Sequence, residues 1–143
     1  MTPYEHQYYQ NRNALLALPT CREILRTRDI YCVELDIRNG RYTLYIEQKL
    51  SYAPRIYILQ PEIDESDLVA IHTFPKVYIA RYGRELVRIC ISHRRDNWSH
   101  FVPLSQSYIP WAIEWTEFYE LWLLTGEWFG EGIHVTVTEP KKD

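Results

Sequence analysis

Residues 30–48 read IYCVELDIRNGRYTLYIEQ, and their alternation decides the fold class. Tyr31, Val33, Leu35 and Ile37 interleave with Cys32, Glu34, Asp36 and Arg38, a period of two that predicts a strand with one face on a core. Asn39-Gly40 then sits between two such runs, the strongest short-range signal for a hairpin turn, and YTLYIEQ supplies the return strand. PRIYILQ, 54–60, predicts a third strand. After the acidic, turn-like PEIDESD comes HTFPKVYIARYGRELVRICIS, which reads as two extended runs separated by Gly83.

Helices flank this meander. Pro3 to about Leu18 predicts a helix with proline in its first turn, an apolar end at Ala14, Leu15, Leu16 and Leu18, and a stop at Pro19. From Tyr108 the period becomes helical. Trp111, Trp115, Phe118 and Trp122 fall on one stripe, Glu114, Glu117 and Glu120 on a solvent-facing one, and Gly126 ends the run. HVTVT near the end reads as a short strand. The class is therefore α+β, helices packed on an antiparallel sheet, in a single domain over residues 1–143.

The totals narrow the function. A chain of 143 residues hides roughly two-thirds of its unfolded surface, and 46% hydrophobic content with 24% charged residues describes a folded globule. A net charge of −3 with interspersed signs gives no general reason to bind nucleic acid or an anionic membrane. The N-terminus lacks the features of a secretory signal, and the stretch 109–124 holds three glutamates and is too short to span a bilayer, which predicts a cytosolic protein. Three cysteines, Cys21, Cys32 and Cys90, without a CxxC pair predict free thiols.

VRICISHRRDNWS, 87–99, raises the question of chemistry. If the run is extended, Val87, Ile89 and Ile91 face the core while Arg88 and Cys90 face away, and Cys90 ends the strand among Arg88, His93, Arg94 and Arg95, cations that favour a thiolate. A buried, inert thiol is the competing reading. Lowering a thiol from ~8.5 to ~7 raises its thiolate fraction about fifteen-fold at neutral pH, so a working thiol must also be positioned against a carbonyl. His72 in HTFP, read as lying in a proline-fixed turn, is the candidate partner for proton transfer; packing within a loop is the other role open to it. Cys90, His93, His100 and His72 are zinc-ligand types, but the spacing is loose and the adjacent bases repel a cation, so no metal is expected. No phosphate-binding loop or serine-nucleophile motif is present, and no cofactor is expected.

The succession SYAPRIYILQPEI, HTFP, RIC, NWS and IPWAIEWTEFYELWLLTGEWFGEGIH resembles the prokaryotic ubiquitin-conjugating-enzyme-like (E2-like) family of CBASS antiphage operons, over about Ile30 to His134. The resemblance implies the ubiquitin-conjugating fold and a cysteine acyl transferase that takes an acyl group as a thioester. It implies a partner too, the C-terminal tail of a cGAS/DncV-like nucleotidyltransferase. Cys90 matches the acceptor cysteine, His72 with Pro75 the upstream His/Pro turn, and Trp98 a following tryptophan, while Arg88 and Asn97 are the expected tail and oxyanion contacts. Fourteen residues, Lys76 to Ile89, separate Pro75 from Cys90, longer than the family's usual interval, and the asparagine of the eukaryotic His-Pro-Asn motif is missing. With no nucleotide loop, either a separate activating enzyme performs the adenylation or this protein only captures and releases its partner's terminus. The alternative is a non-catalytic binding module of the same fold that regulates the nucleotidyltransferase.

Overall fold

The structure is a computed structural model, and it describes residues 2–50, 52–64, 73–89 and 102–128. In chain order the elements are helix α1 (Pro3–Leu16), strands β1 (Cys21–Arg26), β2 (Ile30–Ile37), β3 (Tyr42–Lys49), β4 (Arg55–Gln60), β5 (Thr73–Ile79) and β6 (Arg84–Ile89), a 3-10 turn at Leu104–Gln106 and helix α2 (Tyr108–Thr125). The strands form one antiparallel sheet in the order β1-β2-β3-β4-β6-β5. The α+β class expected from the alternation is the class observed. The expected final strand HVTVT lies outside the described residues.

Alternation explains the main core. Tyr31, Val33, Leu35 and Ile37 of β2, Leu44 and Ile46 of β3, Ile56 and Ile58 of β4, and Val87 and Ile89 of β6 share one face with Tyr8 and Leu15 of α1 and with Tyr108, Ala112, Trp115 and Tyr119 of α2. The opposite face is not simply polar: Cys32, Tyr45, Tyr57, Leu59 and Leu86 are also buried, because the tyrosine rings pack side by side, Tyr45 lying 5.7 Å from Tyr57 and 5.4 Å from Tyr82.

α1 begins on a capping box. Thr2 Oγ1 accepts from the Glu5 N–H at 3.1 Å while Glu5 Oε1 accepts from the Thr2 N–H at 2.9 Å, satisfying two donors that the first helical turn leaves open. The helix stops at Leu16, short of the expected Leu18, and buries Tyr8, Asn11 and Leu15 rather than its leucine-rich end alone. Asn11 Oδ1 accepts from the Leu104 N–H, tying α1 to the segment that leads into α2.

The turn between β2 and β3 is longer than Asn39-Gly40 alone requires. Ile37 pairs with Tyr42, so four residues cross over, and Arg38 and Asn39 both take positive φ (54° and 60°) ahead of Gly40 at 82°. A left-handed arginine is costly by itself, but its guanidinium is drawn to α2, donating to Thr116 Oγ1 at 3.2 Å and pairing with Glu120 at 3.1 Å. Glu120 also pairs with Arg41 and accepts from Tyr42 Oη at 2.9 Å. It is therefore an anchor between helix and hairpin, not one of three solvated acids. On α2 the buried residues are Tyr108, Ala112, Trp115, Thr116 and Tyr119. The expected tryptophan stripe is offset from this line, meets it at Trp115, and leaves Trp111, Phe118 and Trp122 half-buried.

Strand β1 had no expectation behind it. CREILR hides its pattern because a bulge between Glu23 and Leu25 breaks the alternation and because an edge strand buries little. Polar contacts hold it: Arg22 forks onto Asp36 at 2.9 and 3.0 Å and reaches Glu34 at 3.1 Å, while Thr43 Oγ1 donates to Asp36 at 2.8 Å. The Arg22 hydrogen bonds, then that of Thr43, hold the Asp36 carboxyl below its ordinary value. A depressed folded-state pKa contributes stability above the unfolded value of ~3.9 and loses it as pH falls through the folded value. The contribution of Asp36 to the melting temperature should accordingly stay constant down to about pH 5, and the melting temperature should drop further in the parent than in Asp36→Asn between pH 5 and pH 2. Equal acid slopes in the two proteins would remove Asp36 from the account.

Candidate functional site

The described part of the candidate site is the β5–β6 hairpin. Gly83, at φ +65°, closes its turn by donating to the Ile79 and Ala80 carbonyls at 3.0 and 3.2 Å, the backbone geometry for which glycine is the usual residue. From Ile79↔Arg84 the strands run back through Tyr78↔Glu85 and Val77↔Leu86 to Phe74↔Arg88 and Thr73↔Ile89. Between Val77 and Phe74 the register shifts, so that Pro75 and Lys76 stand opposite Val87 alone. Proline has no N–H to give a ladder, and an edge-strand bulge is where a sheet tolerates it. Thr73 to Pro75 of HTFP thus belong to a strand and not to the expected proline-fixed turn.

The hairpin also accounts for the long interval in the sequence. The fourteen residues Lys76 to Ile89 run out along β5, around Gly83 and back along β6. The two ends of the hairpin, Thr73 and Ile89, face each other across the ladder.

β6 divides its side chains as alternation predicts. Val87 and Ile89 are each 3% exposed within the helix-side core. Leu86 and the half-buried Arg88 belong to the opposite face, with Arg88 standing across from Tyr57 on one side and Phe74 on the other. Tyr57 is surrounded by charge: burial raises its phenol, Glu47 raises it further, and Arg55 and Arg88 oppose the rise. Of the sequence-predicted site residues, Arg88 is the one described. Cys90, His72, Asn97 and Trp98 lie outside the described residues, as do His93, Arg94, Arg95 and His100.

Sequence reasoning passed over Arg84. Its guanidinium crosses from β6 to β4, donating to the Leu59 carbonyl at 2.6 Å and pairing with Glu62 at 3.4 Å. That reach is needed because β4 and β6 pair only at Tyr57↔Arg88 and Ile58↔Val87. Beyond Ile58 the strands part around a cleft of about 530 Å³ floored by Ile58, Ile63, Leu86 and Val87. Arg84 thereby fixes the start of the connection that leads toward His72. Only its position in the register, not its local sequence, marks it.

The two described cysteines are poor nucleophiles. Burial pushes the Cys21 thiol up to about 11 and raises that of the buried Cys32 as well, despite a hydrogen bond with Tyr45 that works the other way. Among the described residues no three His, Cys, Asp or Glu side chains gather as metal ligands, and no helix is long and apolar enough to cross a membrane.

Comparison with known proteins adds the family. No curated protein matches the chain. The family model E2-CBASS, described as type II CBASS E2 protein, matches residues 10–135, an interval that contains the whole sheet, α2 and both ends of the β5–β6 hairpin. This chain belongs to the E2-CBASS family of type II CBASS E2 proteins.

Proposed function

We propose that the chain is one domain of ubiquitin-conjugating fold, residues 1–143, that carries an acyl group as a thioester on Cys90. The thiolate attacks an activated C-terminal carbonyl carbon, and the C–S bond forms as the activating group leaves. An acceptor amine then takes the acyl group as an amide and returns the thiol. The donor is the C-terminal tail of a cGAS/DncV-like nucleotidyltransferase, activated by a separate enzyme. His72 serves proton transfer at the thiol, and Arg88, Asn97 and Trp98 contact the tail. Membership of the family supports the conjugating class and an association with other CBASS enzymes.

One observation carries the assignment of Cys90 with His72. Thr73 and Ile89 are cross-strand partners, and each is one peptide, ~3.8 Å between Cα atoms, from His72 and Cys90 respectively. That pairing supports bringing the two side chains to one edge of the sheet, despite an interval in sequence that argued against it. The half-buried Arg88, one residue before Cys90 and on the face away from the helices, supports a cationic contact for a carboxylate or carbonyl of the tail.

Competitive alkylation tests the nucleophile. With a pKa of about 11, Cys21 is about one part in ten thousand thiolate at pH 7, and Cys32 is buried and raised as well. Iodoacetamide should therefore label Cys90 well ahead of the other two, as read by peptide mass spectrometry of the folded protein. Slow, equal labelling of all three cysteines contradicts the acyl-carrier reading and favours the binding module.

A further inference from the structure

The sheet ends on β5. In the order β1-β2-β3-β4-β6-β5 that strand has β6 on one side, and among the described residues nothing pairs with its other side. A strand in this position presents main-chain N–H and C=O groups that an extended peptide can complete. The bulge at Pro75 and Lys76 blunts only its first half; beyond it Val77 and Tyr78 are 36% and 62% exposed. Charge singles out this edge. The opposite edge strand, CREILR, mixes Glu23 with Arg22 and Arg26, whereas residues 73–83 hold Lys76 and Arg81 and no acid, in a chain of net charge −3. Arg81 is exposed and Lys76 half-buried, and neither forms an ion pair among the described residues. The one acid of the hairpin, Glu85, is on β6, on the far side of β5 from the free edge.

Resting on the acyl-carrier reading, we propose that β5 docks an acidic C-terminal tail of the nucleotidyltransferase as an added antiparallel strand along Val77–Ile79. Main-chain hydrogen bonds to the edge hold it, and carboxylates of the tail face Lys76 and Arg81. A second copy fits this edge poorly, because two β5 strands side by side would crowd four cations with no acid on either. Strand direction agrees with a C-terminal tail as the occupant. β6 runs antiparallel to β5 and ends at Ile89, the residue before Cys90, so a peptide lying antiparallel on the free side of β5 runs in the same sense as β6. Its C-terminus therefore leaves beside Thr73, at the end of the sheet where Ile89 stands. The lateral gap is two strand spacings, about 10 Å, which about three further extended residues span. A parallel strand would instead send the C-terminus to the turn at Gly83.

Hydrogen exchange read by mass spectrometry tests the docking apart from the chemistry, with the full-length chain, a cGAS/DncV-like nucleotidyltransferase and no activating enzyme present. The intact nucleotidyltransferase should slow exchange at the Val77–Ala80 amides, and a form lacking its C-terminal tail should not. Lys76→Gln combined with Arg81→Gln should weaken the complex several-fold and flatten its salt dependence, with an unchanged melting temperature showing the hairpin intact. Protection confined to other segments, protection that survives loss of the tail, or the absence of any complex overturns the docking. Protected β5 amides in a protein that forms no thiol-labile adduct once an activating enzyme is added keep the docking and sink the acyl carrier instead.

Discussion

Trp115→Ala is expected to cost about 3–5 kcal/mol of folding stability, the range for removing a buried tryptophan. Trp115 is 5% exposed, lies nearly parallel to Tyr119 at 5.4 Å with 9° between the ring planes, and has the Trp128 ring 5.7 Å away. Its loss opens a cavity in the helix-side core, where Ala112 and Tyr119 are also buried, and the strands of that core, held by their own ladder, have little freedom to close it. A domain of this kind has only ~5–15 kcal/mol in total, so the variant gives up a large share of it. At roughly 3 °C per kcal/mol for a chain of this length, the melting temperature should fall by roughly 10–15 °C. Trp122→Ala should fall by much less: Trp122 is half-buried and its stacking on Tyr119 is looser, at 6.4 Å. Circular dichroism melts of the two variants rank them directly. If Trp122→Ala proves the more damaging, the helix packs through the tryptophan stripe after all and the line of burial described here is wrong.

What could be read from the sequence follows the range over which each feature is determined. The β2–β3 hairpin was legible because alternation on both sides of Asn39-Gly40 is a local signal; the four-residue crossing was not, because the partners of the left-handed Arg38, Thr116 and Glu120 on α2, are about eighty residues away. The end of α2 at Gly126 was legible for the same local reason. Its buried line was not, since a helix bearing aromatic residues on several faces offers more than one candidate stripe, and only its seat in the core, fixed in part by Tyr42 bonding to Glu120, selects among them. β1 gave no signal because its bulge disrupts the one pattern that identifies strands.

The candidate site divides in the same way. Alternation along β6 correctly separated Val87 and Ile89 from Arg88. The relation between the ends of β5 and β6 could not be seen, because a strand pairing is a long-range fact and the fourteen intervening residues looked like distance when they are a hairpin. Arg84 was missed for a related reason. Its role arises where β4 and β6 part, and nothing local in RELVRI reports that divergence.

The second large effect concerns chemistry and should come at almost no cost in stability. On the proposed function Cys90→Ala is expected to abolish acyl transfer, because the reaction loses its covalent nucleophile and the two described thiols, Cys21 and Cys32, are held protonated by burial. On that reading the same variant should melt within a few degrees of the parent, because an exposed, reactive thiol contributes little packing. Folded protein with lost activity is what separates this reading from a core role for Cys90.

The direct measurement combines the protein with its proposed partners, a cGAS/DncV-like nucleotidyltransferase and an activating enzyme, then resolves the products on denaturing gels with and without thiol. The parent should form a covalent adduct with the nucleotidyltransferase that excess dithiothreitol removes. Cys21→Ala and Cys32→Ala should form it equally, and Cys90→Ala should form none. An adduct that persists in Cys90→Ala, or one that dithiothreitol leaves intact in the parent, contradicts the thioester at Cys90.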